Sequence, residues 1–209
     1  MAAPTRNVLL CAAASLVRGL LFMPTAPTCD LVYIEFGSNI GDSMEDLVYD
    51  RPGLAGYGLR KMLLAAWPAW TPGGTCVIGF EPNPRWTSTL RNVSRTLAPL
   101  TRCILINTET AVTHEHSGST LLNLGESGAN DVGASLATAP SSKGKSARVA
   151  TVNLLEYLEA VVHSQPGVPI VMRIDAEGAE YYLLRDLAAI RRVQDSPGGP
   201  RHNLAHTWP

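Results

Sequence analysis

The sequence predicts an α/β fold with a largely parallel sheet flanked by helices. Three observations carry that expectation. Four short runs, Leu31–Phe36, Thr75–Phe80, Arg102–Ile106 and Pro169–Ile174, are rich in β-branched and aromatic residues and apolar almost throughout, as strands covered on both faces are. Segments with a helical pattern alternate with them. Three of the four runs end in loops that carry acids and glycines: Glu35–Gly41, Glu81–Pro84 and Asp175–Glu180. If the strands are parallel, those loops emerge on one edge, outside the carboxyl ends of the strands, where ligands of open α/β folds sit.

The chain begins differently from the way it continues. Residues 1–29 hold no acid; Arg6 precedes the apolar run Val8–Val17, and Leu20–Met23 follows Arg18 and Gly19. Such a start reads either as a targeting or anchor-like segment, secretory or organellar, through which the protein associates with a membrane, or as an amphipathic helix lying on the fold. Arg18 interrupts the run of about 20 apolar residues that a full membrane span needs. Residues 30–190 form the main domain, and 191–209, with Asp195-Ser196-Pro197-Gly198-Gly199-Pro200, read as a loose tail.

Within the main domain, Leu31–Phe36 (LVYIEF) is the first strand and Gly37 opens the turn that ends it. Gly58–Trp67 reads as a helix stopped by Pro68. The turn Thr71-Pro72-Gly73-Gly74 introduces the second strand, and Glu81-Pro82-Asn83-Pro84 stops it. A helix at Trp86–Leu97 leads to the third strand. The polar stretch from His114 to Lys145, rich in Ser, Gly and Asn, reads as a long loop or weak hairpin. Val152, Leu155, Leu158, Val161 and Val162 keep the 3.6 period and predict a helix over Val152–Val162. The fourth strand, Pro169–Ile174, is followed by the acidic loop and a helix at Tyr181–Ile190.

Composition narrows the function. At 209 residues and 45% hydrophobic content, the chain can bury a core of its own. Lys+Arg 17 against Asp+Glu 18 lacks the basic excess of a dedicated nucleic-acid binder, so no nucleic-acid partner is expected. Cys11, Cys29, Cys76 and Cys103 form no C-x-x-C pair and have no His at finger spacing; no structural zinc site is expected, and Cys76 and Cys103 read as buried free thiols. His114 and His116 make an H-x-H pair without a third ligand, so they read as solvated loop residues and no metal is expected.

The loops point to a ligand. Glu35-Phe36-Gly37-Ser38-Asn39-Ile40-Gly41 is a strand-to-helix turn, but Asn39 stands where a dinucleotide fingerprint has its second glycine. That disfavours a nicotinamide dehydrogenase. Glu35 just before the turn repels a phosphate and suits a cationic group. Glu81, closing the second strand, stands where an acid accepts hydrogen bonds from ribose hydroxyls. A nucleoside with a positively charged tail and no phosphates satisfies both, and S-adenosyl-L-methionine is one. The plainer alternative is a tight turn made by Gly37 and Gly41, with the acids solvated.

Three ordered segments, Tyr33–Ser43 (YIEFGSNIGDS), Gly79–Arg85 (GFEPNPR) and Met172–Leu187 (MRIDAEGAEYYLLRDL), resemble the motifs of the FkbM family of S-adenosylmethionine-dependent methyltransferases. Glu109–Val112 (ETAV) resembles that family's segment after the third strand. The resemblance runs from Leu31 to Leu187. It implies a Rossmann-like methyltransferase fold, S-adenosyl-L-methionine as cofactor, and methylation of a hydroxyl oxygen on a sugar, lipid or small metabolite. By position it implies that Glu35, Gly37, Asn39 and Gly41 hold the methionine part, Glu81 the ribose, and that Ala111 lies near the adenine. The loop Asp175–Glu180 would face the reacting centre. Asp175 is the first candidate for the group that orients or deprotonates the acceptor, followed by Glu177 and Glu180, the last also a candidate helix cap.

Departures from the pattern set further expectations. The family's first acid is usually Asp, and an insertion is expected around Tyr49–Tyr57. The family's sheet continues beyond the helix at Tyr181–Ile190, so the sheet is expected to be truncated at its C-terminal strands, and a catalytically inactive binding or scaffold protein is the alternative to an active enzyme.

Overall fold

The computed structural model describes residues 15–17, 20–22, 28–49, 58–115, 117–124, 135–136, 146–176 and 180–194. In chain order the strands are β1 (Ser15–Val17), β2 (Leu20–Phe22), β3 (Leu31–Phe36), β4 (Thr75–Glu81), β5 (Cys103–Thr108), β6 (Thr110–Thr113), β7 (Gly118–Asn123), β8 (Ser135–Leu136), β9 (Ser146–Asn153) and β10 (Ile170–Ile174). The α-helices are α1 (Asp42–Val48), α2 (Leu59–Ala66), α3 (Thr87–Leu97), α4 (Leu154–Ser164) and α5 (Glu180–Gln194).

The main sheet is parallel throughout, in the order β10-β3-β4-β5. Its central strands are buried along their whole length, which explains why their sequences show no polar alternation. Their side chains still alternate between the two faces. Val32, Ile34 and Phe36 join Cys76, Ile78 and Phe80 beneath α4 and α5, packing on Tyr157, Leu158, Leu183 and Leu187. Leu31 and Tyr33 join Val77 and Val171 on the other face, against Met44 and Leu47 of α1, Leu63 of α2 and Val93 and Leu97 of α3. Phe80 presents its ring edge-on to Tyr157 at 4.9 Å and lies 5.6 Å from Phe36. Each such side chain contributes about 1.5–3 kcal/mol by leaving water.

Several expectations change. The polar stretch after His114, read as a long loop or weak hairpin, holds the short antiparallel pair β7 and β8, but these belong to a second four-stranded sheet that was not expected, ordered β6-β9-β7-β8, in which β6 and β9 run parallel and the other pairs antiparallel. The predicted helix over Val152–Val162 begins two residues late, because Val152 and Asn153 finish β9 and Val152 is buried there. Asn153 then caps α4, its side chain accepting the Glu156 N–H at 3.0 Å. Helix α1 was hidden in the turn that leads to the expected insertion, most of which lies outside the described residues. Near the amino terminus, β1 and β2 pair antiparallel where a helix was one of the readings.

The cysteines also differ. Cys29 and Cys76 form a disulfide with Cα atoms 5.8 Å apart, and Cys103, the register partner of Cys76, is disulfide-bonded as well. No described cysteine is the buried free thiol that its apolar setting implied. The Cys29–Cys76 link spans 47 residues, a closure worth about 4 kcal/mol on the chain-entropy account.

Candidate functional site

The carboxyl edge of the main sheet collects the acids. Glu35 lies one residue before the end of β3 and is fully buried. The chain then turns sharply: Gly37 (φ 88°), Asn39 (φ 47°) and Gly41 (φ 85°) all have left-handed backbone. At Gly37 a side chain is excluded for a second reason. A Cβ there would meet the Asp175 carbonyl oxygen, because the end of β10 crosses the turn at this point. The Asp175 N–H donates to the Phe36 carbonyl at 2.8 Å, and the N–H groups of Gly37 and Ser38 donate to the Phe80 carbonyl at 2.9 and 3.0 Å. Three strand ends are thus stitched together by backbone hydrogen bonds.

Glu81 is buried and holds two loops at once. One carboxylate oxygen accepts the Asn39 N–H at 2.6 Å and the other accepts the Asn83 N–H at 2.7 Å. Burial raises its pKa, and the two backbone donors oppose that rise. On the same strand, a Cβ at Gly79 would meet the Met44 methyl and the Ser38 hydroxyl, so either side chain would have to shift to admit one.

Glu35 has a cationic partner that the sequence reading did not name. Arg173 sits in β10 directly across from Glu35 in the strand register. One of its terminal nitrogens donates to Glu35 Oε1 at 2.6 Å and the other to Asp175 Oδ2 at 2.6 Å. Exposure rises along this bridge: the side chain of Glu35 is 0% exposed, that of Arg173 20% and that of Asp175 51%. Ser43 Oγ donates to the same Glu35 oxygen. Burial pushes the Glu35 carboxyl up to about 7, while the Ser43 hydrogen bond and the Arg173 charge pull it down. The signal for Arg173 was present as a lone charge inside the apolar run Pro169–Ile174.

Glu35, Gly37, Asn39, Gly41, Glu81 and Asp175 are therefore brought together. Ala111 has its side chain buried in the small core of the second sheet with Leu122 and Val149. Glu177 lies outside the described residues, as does His116. His114, read as a solvated loop residue, is exposed in the loop after β6, and its ring stacks on Tyr182 in the first turn of α5, centroids 4.6 Å apart, with the Arg185 guanidinium 5.6 Å from the same tyrosine ring. A cavity of about 310 Å³ between α3 and β5, lined by Leu90, Arg91, Ser94, Arg95, Ile106 and Thr108, contains none of the acids.

A parallel sheet with helices on both faces, a Gly–Asn–Gly turn after its central strand, and acids rather than phosphate-binding glycines at the carboxyl edge define a Rossmann-like methyltransferase. The model of the Methyltransferase FkbM domain family matches residues 63–195, and the chain belongs to that family. The match includes Glu81, Arg173 and Asp175 and begins after the Glu35–Gly41 turn, which the β10-β3-β4 register ties to the rest. No curated protein and no solved structure matches the chain significantly.

Proposed function

We propose that the chain transfers a methyl group from S-adenosyl-L-methionine to a hydroxyl oxygen on a sugar, lipid or small metabolite. One observation supports this reading above the others. Glu35 Oε2, Ser38 Oγ and Asn39 Oδ1 are buried at the turn with no hydrogen-bond partner among the described residues. A buried polar atom without a partner costs about 1–3 kcal/mol, which a ligand with a polar amino-acid end would offset. Glu35, Glu81 and Asp175 disfavour a phosphate there and favour a cation, so the residues fit this cofactor. The same acids and the net charge of −1 favour a small acceptor over a nucleic acid.

When bound, the cofactor supplies an electrophilic methyl carbon. The chain's own residues supply placement. Each Glu81 oxygen already takes one backbone N–H and retains a lone pair for a ribose hydroxyl. Asp175 is half exposed, aimed by Arg173 and fixed to the turn through its own backbone, so it is the group that would orient an acceptor hydroxyl and take up its proton. Holding the acceptor in line and excluding water accounts for much of the rate that such a site can give.

Calorimetric titration of the purified chain with S-adenosyl-L-methionine tests the reading, with NADH and the Glu81→Gln variant as controls. Saturable binding, weakened at least about tenfold by Glu81→Gln, as expected for loss of a charge-assisted acceptor, is the supporting outcome. Binding of NADH in preference, or no binding by the folded chain, would overturn it.

A further inference from the structure

We propose that Asn92 is an N-glycosylation site and that the chain matures in the oxidising lumen of the secretory pathway. Both hold whether or not the chain transfers a methyl group.

Asn92-Val93-Ser94 is the one Asn-x-Ser/Thr triplet in the sequence, with a residue other than Pro in the middle. It lies on α3, whose buried stripe is Leu90, Val93 and Leu97. Asn92 is exposed on the other side of the helix. Its neighbours one turn away, Ser88, Thr89, Arg95 and Thr96, are exposed and polar too. Its carbonyl accepts the Thr96 hydroxyl at 3.0 Å, and among the described residues its side-chain amide holds no hydrogen bond, so a sugar there displaces no contact. The usual setting of such a triplet is a surface loop, and the outer face of α3 offers the same access to solvent.

The cysteines point to the compartment in which that triplet is read. Cys29 and Cys76 are joined, Cys103 is disulfide-bonded as well, and all three lie in the buried core beside α4. Disulfides persist in oxidising compartments, whereas those of the cytosol are mostly transient and belong to accessible, reactive thiols. Sulfurs sealed in the core match the first class. Residues 1–29, without acid and with Arg6 ahead of the apolar run Val8–Val17, fit a signal that delivers the chain there. In that lumen the donor is an oligosaccharide linked through a diphosphate to a lipid. The Asn92 amide nitrogen bonds to the anomeric carbon of the first sugar and gives up one proton, the anomeric carbon–oxygen bond breaks, and the lipid diphosphate leaves. Residues two apart on a helix point about 200° from one another, so the transferring enzyme meets Asn92 and Ser94 together only before α3 forms. The helix then folds with the sugar on its solvent side.

The test expresses the full chain, with its own residues 1–29, in cultured animal cells. Electrophoretic mobility is compared before and after a glycosidase that cleaves the asparagine–sugar bond. One downward shift, the mass of a single core oligosaccharide, is expected in the wild type. Asn92→Gln and Ser94→Ala should lose it completely, while Ser94→Thr keeps it, since either hydroxyl serves. Because the sugar is added before folding, these readouts do not depend on whether a variant folds. Mass spectrometry of the cleaved wild type should locate the deamidation that this cleavage leaves at Asn92. Alkylation of the denatured, unreduced chain should leave Cys29, Cys76 and Cys103 unlabelled. A wild type without a shift overturns the modification site, and if its cysteines are alkylated the compartment falls with it. A shift that survives in Asn92→Gln puts the sugar on another residue and overturns the assignment as well.

Discussion

The two ends of the main sheet share the same strands and the same apolar layers, yet they treat polar groups in opposite ways. At the amino end, Cys29 and Cys76 are cross-linked, the Cys29 N–H is held by the Gln165 side chain at 3.1 Å, and the Trp70 indole N–H is held by Thr75 at 2.8 Å. At the carboxyl end, Glu35, Ser38 and Asn39 each keep a buried polar atom without a partner among the described residues. The amino end is closed by pairing and covalent linkage. The carboxyl end is held open by backbone hydrogen bonds that fix its shape while leaving side-chain atoms unspent. On the proposed function, stability and ligand chemistry are separated along one strand direction, and that separation can be broken experimentally.

The largest expected effect is on the closed end. Cys29→Ser removes a 47-residue closure and should cost about 4 kcal/mol. Urea unfolding measures the loss, and a titration under folding conditions should find cofactor affinity within about twofold of wild type, the additivity expected of distant sites. A large loss of affinity with little loss of stability would contradict the division of labour.

Gly37→Ala attacks the open end through its backbone. The residue has φ 88° and its Cβ would collide with the Asp175 carbonyl oxygen, so β10 must shift or the turn must unwind. Destabilisation of about 3 kcal/mol is expected, because left-handed strain and a backbone clash add. Unlike Cys29→Ser, this variant should also lose cofactor binding. Alanine at Gly37 that preserves both stability and affinity would show that the crossing of β10 over the turn is dispensable.

How much of this was legible in the sequence follows the same divide between local and cross-strand information. Leu31–Phe36 and Thr75–Phe80 announced themselves because both faces are covered and nearly every position is apolar. The turn residues Gly37, Asn39 and Gly41 and the acids Glu35, Glu81 and Asp175 were readable because turn chemistry is local in the chain. Arg173 was not named, since its role depends on standing opposite Glu35 across a strand pair separated by 138 residues. The disulfide was missed for the same reason: nothing in the spacing of Cys29 and Cys76 reveals that β3 and β4 are neighbours. The second sheet was hard to see because β7 carries Gly118, Ser119, Thr120 and Asn123 and presents little apolar surface. Ala111, placed near the adenine by the motif alone, has its side chain in the local core of the second sheet.

The smallest and most discriminating effect concerns protons. Glu35 has its pKa pushed up to about 7 by burial, against the pull of Ser43 and Arg173. A carboxyl raised in the folded state contributes stability that is full below its unfolded value of 4.5 and is lost as the pH climbs through about 7. A cationic ligand has the opposite preference, since it binds the ionised form. Cofactor affinity should therefore rise between pH 6 and pH 8, by about tenfold if one proton is released on binding. Glu35→Gln should flatten that rise and remove the associated loss of stability. Cys29→Ser should change neither slope, since the disulfide lies at the other end of the sheet. Calorimetry in two buffers of different ionisation enthalpy counts the proton directly. One proton released near neutral pH in the wild type, and none in Glu35→Gln, would tie the chemistry of the open end to the carboxylate that β3 buries. Equal release in both chains would place the titrating group elsewhere.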